Sequence, residues 1–229
     1  MALYHFSVRH VSRGKGQMVV ASAAYISGQR IFDSYYNKIH DYTSKSGVVF
    51  TEILTPEYVP ERLTDRETLW NEVEHVERNN KAQLAYSFDI ALQNELTLEE
   101  NIRLAKEFCQ EQFVERGMIV DLAVHKGKSD NEEEPDNPHF HVLVPIRPFT
   151  EEGIWGNKQR REYILDEDGN RVKDAKGKGD IQRCFHYRLE CPGTFKGVAE
   201  GMDRESKWEI SRVPHGSQNR PPFLQRTGD

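Results

Sequence analysis

Met118 to His125 reads MIVDLAVH and His139 to Ile146 reads HFHVLVPI, with an acidic stretch over 126–138 between them. Both segments are short, apolar and rich in β-branched residues, which is strand composition. The two are expected to pair as an antiparallel hairpin. Residues i and i+2 of a strand share a face, about 6.6 Å apart, so His139 and His141 aim two imidazoles at one point. Pairing across 126–138 would bring His125 opposite one of them. Three neutral imidazoles on adjacent strands can hold a divalent metal and leave positions open for water or substrate. A lone His-x-His strand is often just a pair of polar residues. The correctly placed third histidine is what favours the metal.

Working outward, Leu3 to Val11 alternates as a strand, and Ser12-Arg13-Gly14-Lys15-Gly16 reads as a basic turn. Val19 to Gln29 is Ala-rich and closes near Gly28, as a short helix does. Residues 31–47 read as a polar and aromatic loop, and Val48 to Leu54 as a second strand. Thr64-Asp65-Arg66-Glu67 has the form of a capping box before a helix carrying Leu69, Trp70, Val73 and Val76. Gln83 to Leu92 is a third strand. Thr97 to Glu100 is a second capping box, opening a helix that runs to about Arg116 and stops at Gly117. The order β-α-β-α-β-α-β-β implies an α+β fold: an antiparallel sheet carrying the His-x-His strand, with helices on one side. Residues 1–150 are the expected core and 151–180 a polar, basic extension. Residues 181–229 show little apolar pattern and are expected to be an irregular or disordered tail.

The 229 residues carry a net charge of -6, 37% hydrophobic and 30% charged residues. No apolar run approaches the roughly 20 residues needed to cross a bilayer, so a cytoplasmic address without membrane insertion is expected. Three scattered cysteines exclude a disulfide scaffold and a classical zinc finger. The acidic balance argues against a bulk nucleic-acid binder, but it hides an asymmetry. Residues 1–50 hold six Lys/Arg against two acids, and residues 61–136 hold nineteen acids against nine bases. A basic face early in the chain is therefore allowed.

Tyr25, in Ala21-Ser22-Ala23-Ala24-Tyr25, is flanked by small residues that leave room around its hydroxyl. A phenol with a pKa of about 10 needs a base or nearby positive charge to act as a nucleophile. A core tyrosine on an amphipathic helix is the plainer reading of the residue alone.

Several ordered motifs carry a resemblance. They are Tyr4-His5-Phe6-Ser7-Val8, Ser12-Arg13-Gly14, the Ala-Ala-Tyr25-x-Ser-Gly helix, and His40-Asp41-Tyr42-Thr43 leading to Gly47-Val48-Val49. Further on come Thr51 to Leu54, Leu69-Trp70-Asn71, Asn137-Pro138-His139-x-His141, Arg147-Pro148-Phe149, Gly153 to Gly156, and Glu162 to Asp166. Over about residues 1–175 the chain resembles the MobA/MobL (MobQ-type) relaxases of the HUH endonuclease superfamily. The resemblance implies a metal-dependent enzyme that nicks one DNA strand at a plasmid or mobile-element origin of transfer, through a 5′-phosphotyrosine. The family's nucleophile falls on Tyr25 and its metal ligands on His125, His139 and His141. Mn²⁺ or Mg²⁺ is the metal the resemblance implies, whereas an all-nitrogen donor set also suits Ni²⁺ or Zn²⁺.

Asp89 stands where relatives usually carry Glu. It is a candidate base toward Tyr25, or an acceptor that orients a histidine. Arg9, Arg13, Lys15, Arg30 and Arg147 are candidate phosphate contacts, and Tyr35, Tyr36 and Tyr42 could stack on bases. The implied partner is single-stranded or locally melted DNA at an origin of transfer, with accessory mobilisation proteins and a coupling protein. A rolling-circle replication initiator of the same superfamily, or an inactive DNA-binding fragment, would share these motifs.

Overall fold

The computed structural model describes residues 5–127, 137–163, 181–185, 208–210 and 224–226, with side chains over 5–127 and 137–158. Its elements are β1 (Phe6–Ser12), α1 (Val19–Ser27), β2 (Arg30–Asp33), β3 (Lys38–Asp41), β4 (Val48–Leu54), α2 (Arg66–Val76), β5 (Gln83–Ala91), α3 (Leu98–Gln112), β6 (Val120–His125), β7 (His139–Pro145), β8 (Gln159–Tyr163), β9 (Ile181–Phe185), β10 (Trp208–Ile210) and β11 (Leu224–Arg226). Five strands form one antiparallel sheet in the order β1-β5-β7-β6-β4. The expected hairpin is its centre: β6 pairs with β7, His125 opposite His139 and Ala123 opposite His141.

Strand alternation divides the side chains between two faces, and both are covered. On one face Val11, Ala85, Ala123 and Leu143 pack against Val20, Ala24, Leu69 and Trp70 of α1 and α2. On the other, Phe88, Ile90, Leu122, Phe140 and Val142 pack against Ala105, Cys109 and Phe113, which belong to α3 and its C-terminal cap. The expectation of helices on one side is therefore corrected. The reason lies in the strands: Leu122, Val124, Phe140 and Val142 are as buried as the residues between them, and an apolar row at each pleat must be sealed from water.

Local signals set the element ends. Gly28 closes α1 at φ +63°, with its N–H on the Ala24 carbonyl, a left-handed cap that glycine adopts without penalty. The capping box at Thr97 forms: Thr97 Oγ1 accepts from the Glu100 N–H and the Glu100 carboxylate accepts from the Thr97 N–H. The one expected at Thr64 does not. Asp65 caps α2 instead, accepting from the Thr68 N–H at 2.8 Å, and Thr64 bonds back to the Glu61 carbonyl.

Residues 31–47, expected as loop, contain the β2–β3 hairpin. Its inward positions include Asp33 and His40, 3.4 Å apart and buried, so an apolar alternation is missing there. Residues 151–158 fold back on the core, with Trp155 stacked edge-on to Phe149 and bonded to Glu72. Beyond them β8 pairs with β9 and β10 with β11. These short ladders stand where no strand was expected; the rest of the expected tail lies outside the described residues.

Candidate active site

Period and register alone bring the three histidines together. The ring centroids of His125, His139 and His141 stand 5.2, 4.6 and 5.0 Å apart. One ligand nitrogen from each lies within 4.8 Å of the other two. The backbone chooses two of the tautomers. His125 Nε2–H donates to the Ile26 carbonyl at 2.6 Å, and His139 Nδ1–H donates to the Asn137 carbonyl at 2.8 Å. A carbonyl can only accept, so each ring keeps a lone pair on its other nitrogen, as a metal ligand requires.

His141 Nδ1 lies 3.9 Å from an Asp89 oxygen. Burial pushes the His141 imidazole down to about 3, helped by the neighbouring histidines, Lys45 and Arg9. Burial likewise pushes His125 to about 4. Both rings are neutral at ordinary pH. Three ligand nitrogens that lie within 4.8 Å of one another fit a divalent metal.

Tyr25 lies on the last turn of α1 with 49% of its surface exposed. The carbonyl of the next residue, Ile26, is the one His125 holds. The end of the helix is thus tied to the histidine cluster at the residue after the tyrosine. The tyrosine's flanks explain the pose: Ala23, Ala24 and Ile26 are buried against the core, and residue 25 faces outward. Tyr42 meets its ring edge-on at 5.3 Å.

Asp89 faces His141 across the β5–β7 register. Its other oxygen is 3.8 Å from His5 Nε2, a neighbour with no signal in the sequence.

The five expected phosphate contacts divide. Arg9, Lys15 and Arg30 are exposed, and Arg9 is close enough to influence His141. Arg13 is corrected: its side chain is 6% exposed and its guanidinium is fully engaged. It donates to the Glu74 carboxylate and carbonyl and to the carbonyls of Glu77 and Asn79. Glu74 also accepts from the Val19 N–H, at the start of α1. Arg147 is partly exposed, at 23% of its side chain, and partly engaged. It donates to the Glu77 carboxylate at 2.6 Å and to the Gly156 carbonyl, pinning the returning chain. Glu74 sits four residues after Trp70 on the apolar side of α2, so a carboxylate inside that stripe signals a buried cationic partner without naming Arg13. Tyr35 lies under the Arg13 guanidinium at 4.4 Å, and Tyr35 and Tyr36 remain partly exposed.

The chain matches the MobA/MobL family over residues 17–212 and belongs to that family. The match runs past residue 175, where the motifs quoted above were expected to end. The chain is 37% identical over 188 residues to a conjugal transfer protein TraA of Agrobacterium fabrum, covering 78% of this chain and 16% of the relative. It is 35% identical over 174 residues to a probable mobilization protein MobA of Bifidobacterium longum, covering 75% and 30%. It is 32% identical over 157 residues to a mobilization protein MobL of Acidithiobacillus ferridurans, covering 68% and 41%. The chain thus spans less than half the length of each of these relatives. A solved structure described as the molecular basis of vancomycin resistance transfer in Staphylococcus aureus superposes with a TM-score of 0.63 at 38% identity, over 69% of this chain and 78% of that one. Among the described residues no helix is long and apolar enough to cross a membrane.

Proposed function

We propose that this chain is a relaxase that nicks one DNA strand at a plasmid or mobile-element origin of transfer and holds the cut end as a 5′-phosphotyrosine on Tyr25. The observation that carries the reading is the tie between an exposed tyrosine and the three histidines: Tyr25 is one residue from the carbonyl that His125 grips.

In the reaction the Tyr25 oxygen bonds to phosphorus while the bond to the 3′ oxygen breaks. The phenolic proton is lost to a base or solvent, and the 3′ oxygen gains one. One phosphate ester replaces another, so the strand can be rejoined without ATP. His125, His139 and His141 would hold the metal, and Mn²⁺ or Mg²⁺ would supply positive charge to the non-bridging phosphate oxygens. Asp89 is the carboxylate assigned to the site, as base toward Tyr25 or as acceptor for His141; its oxygen lies 3.9 Å from His141 Nδ1, beyond hydrogen-bond length. Arg9, Lys15 and Arg30 contact the phosphates of a single-stranded or locally melted substrate.

The test is a nicking assay with Mn²⁺ on supercoiled plasmid carrying the DNA that flanks the gene for this chain. Relaxation dependent on an origin of transfer, with protein covalently left on the 5′ end, supports the proposal. Nicking confined to a replication origin would assign a rolling-circle initiator instead. Binding without nicking would assign an inactive DNA-binding module.

A further inference from the structure

The surroundings of Lys45 are unusual for a lysine. It lies in the loop between β3 and β4, which is fixed at both ends. Tyr42 N–H donates to the Gln29 carbonyl and Lys45 N–H to the Tyr42 carbonyl, and the Gly47 carbonyl accepts from Lys126 N–H, one residue past His125. Gly47 holds φ +88° with its Cα toward the Lys126 carbonyl, a position a side chain would crowd. The loop therefore lies against both the end of α1 and the end of β6. Lys45 Nζ sits 3.6 Å from the centroid of the Tyr25 ring and donates to the Tyr25 carbonyl at 3.0 Å.

Among the described residues no carboxylate pairs with this ammonium, and the side chain is partly withdrawn from water. An ammonium carries three donors. One is spent on the carbonyl and one face rests on the ring, which leaves a donor and a full charge without an anion. An anion placed there meets a partly desolvated cation that no described carboxylate already neutralises. A phosphate in contact with the Tyr25 hydroxyl is within reach of a cation that lies on the same ring.

Resting on the reading of Tyr25 as nucleophile, we propose that Lys45 is a further catalytic residue, whose ammonium binds the phosphodiester that Tyr25 attacks. It neither gives nor takes a proton. Its charge offsets the negative charge that builds on the phosphate as the Tyr25–phosphorus bond forms and the bond to the 3′ oxygen breaks. Its grip on the Tyr25 carbonyl keeps the attacking ring and the bound phosphate in one frame.

The experiment compares the full chain with Lys45→Met and Lys45→Arg. Covalent adduct formation is followed with Mn²⁺ and a single-stranded oligonucleotide from the nicked region, at saturating DNA and in single turnover. Mn²⁺ affinity and melting temperature are measured alongside. The expected result is a loss of about 100-fold in the rate for Lys45→Met, the effect of removing one preorganised charge from a developing anion. Mn²⁺ affinity and melting temperature stay at wild-type values, and Lys45→Arg recovers most of the rate. A Lys45→Met rate equal to wild type overturns the inference. So does a slow variant that has also lost Mn²⁺ affinity or melting temperature, since Lys45 would then only brace α1. If wild-type protein forms no adduct at all, the assignment of Tyr25 fails first and this inference with it.

Discussion

His139 and His141 are only partly buried, so replacing either removes a ligand nitrogen without opening the core. His139→Ala or His141→Ala is expected to abolish Mn²⁺ binding by calorimetry and to remove adduct formation with it, while the melting temperature of metal-free protein changes little. Two imidazoles cannot replace three at an open site. Nicking that survives in either variant after treatment with a chelator would rule out a working metal there. Arg9 and Arg13 stand four residues apart, and the structure separates them. Arg9→Ala should weaken binding of single-stranded DNA and flatten its salt dependence by roughly one phosphate contact, with stability unchanged. Arg9→Ala protein that binds DNA like wild type across a salt series would contradict this. Composition treats the two arginines alike, because nothing in a single sequence says which cation has a buried carboxylate waiting for it.

At the level of elements, the Arg13–Glu74 pair joins the turn after β1, the first N–H of α1 and the last turn of α2. Removing one partner strands the other's charge in the interior. Arg13→Met should cost about 3–5 kcal/mol of stability by denaturant titration, and a loss below 1 kcal/mol would show that the pair is not needed for these junctions. On the opposite face, Cys109 is sealed between α3 and the sheet, and burial raises its thiol far above the ordinary cysteine value. Peptide mapping after iodoacetamide at pH 8 should find Cys109 unmodified in native protein and modified only after denaturation.

How well each element reads from sequence follows the same physics. The β6–β7 hairpin and its histidines were legible because a period of two and antiparallel pairing are enough to place them. The β2–β3 hairpin was hidden, since its inward Asp33 and His40 satisfy each other and break the apolar alternation that marks a strand. Lys45 was invisible for a different reason: loop residues follow no period, and only the folded path from Tyr42 to Gly47 sets it on Tyr25.

Across the whole molecule, a sheet sealed on both faces by helices leaves one rim where the ends of α1, β6 and β7 meet. Tyr25 reaches that rim on the C-terminal turn of its helix and the histidines reach it on their strands. The sequence motifs named these residues by family resemblance, and the fold supplies the physical link, the hydrogen bond from His125 to Ile26. In the proposed reaction this link serves a nucleophile. The most direct measurement is mass spectrometry of the tryptic peptide left carrying nucleotide after full-length protein reacts with Mn²⁺ and nicked-strand DNA. The expected result is a phosphotyrosyl-nucleotide on Tyr25 and no adduct in Tyr25→Phe, which should still bind the same DNA. Nucleotide found on Tyr35, Tyr36 or Tyr42, or an adduct that persists in Tyr25→Phe, would contradict it.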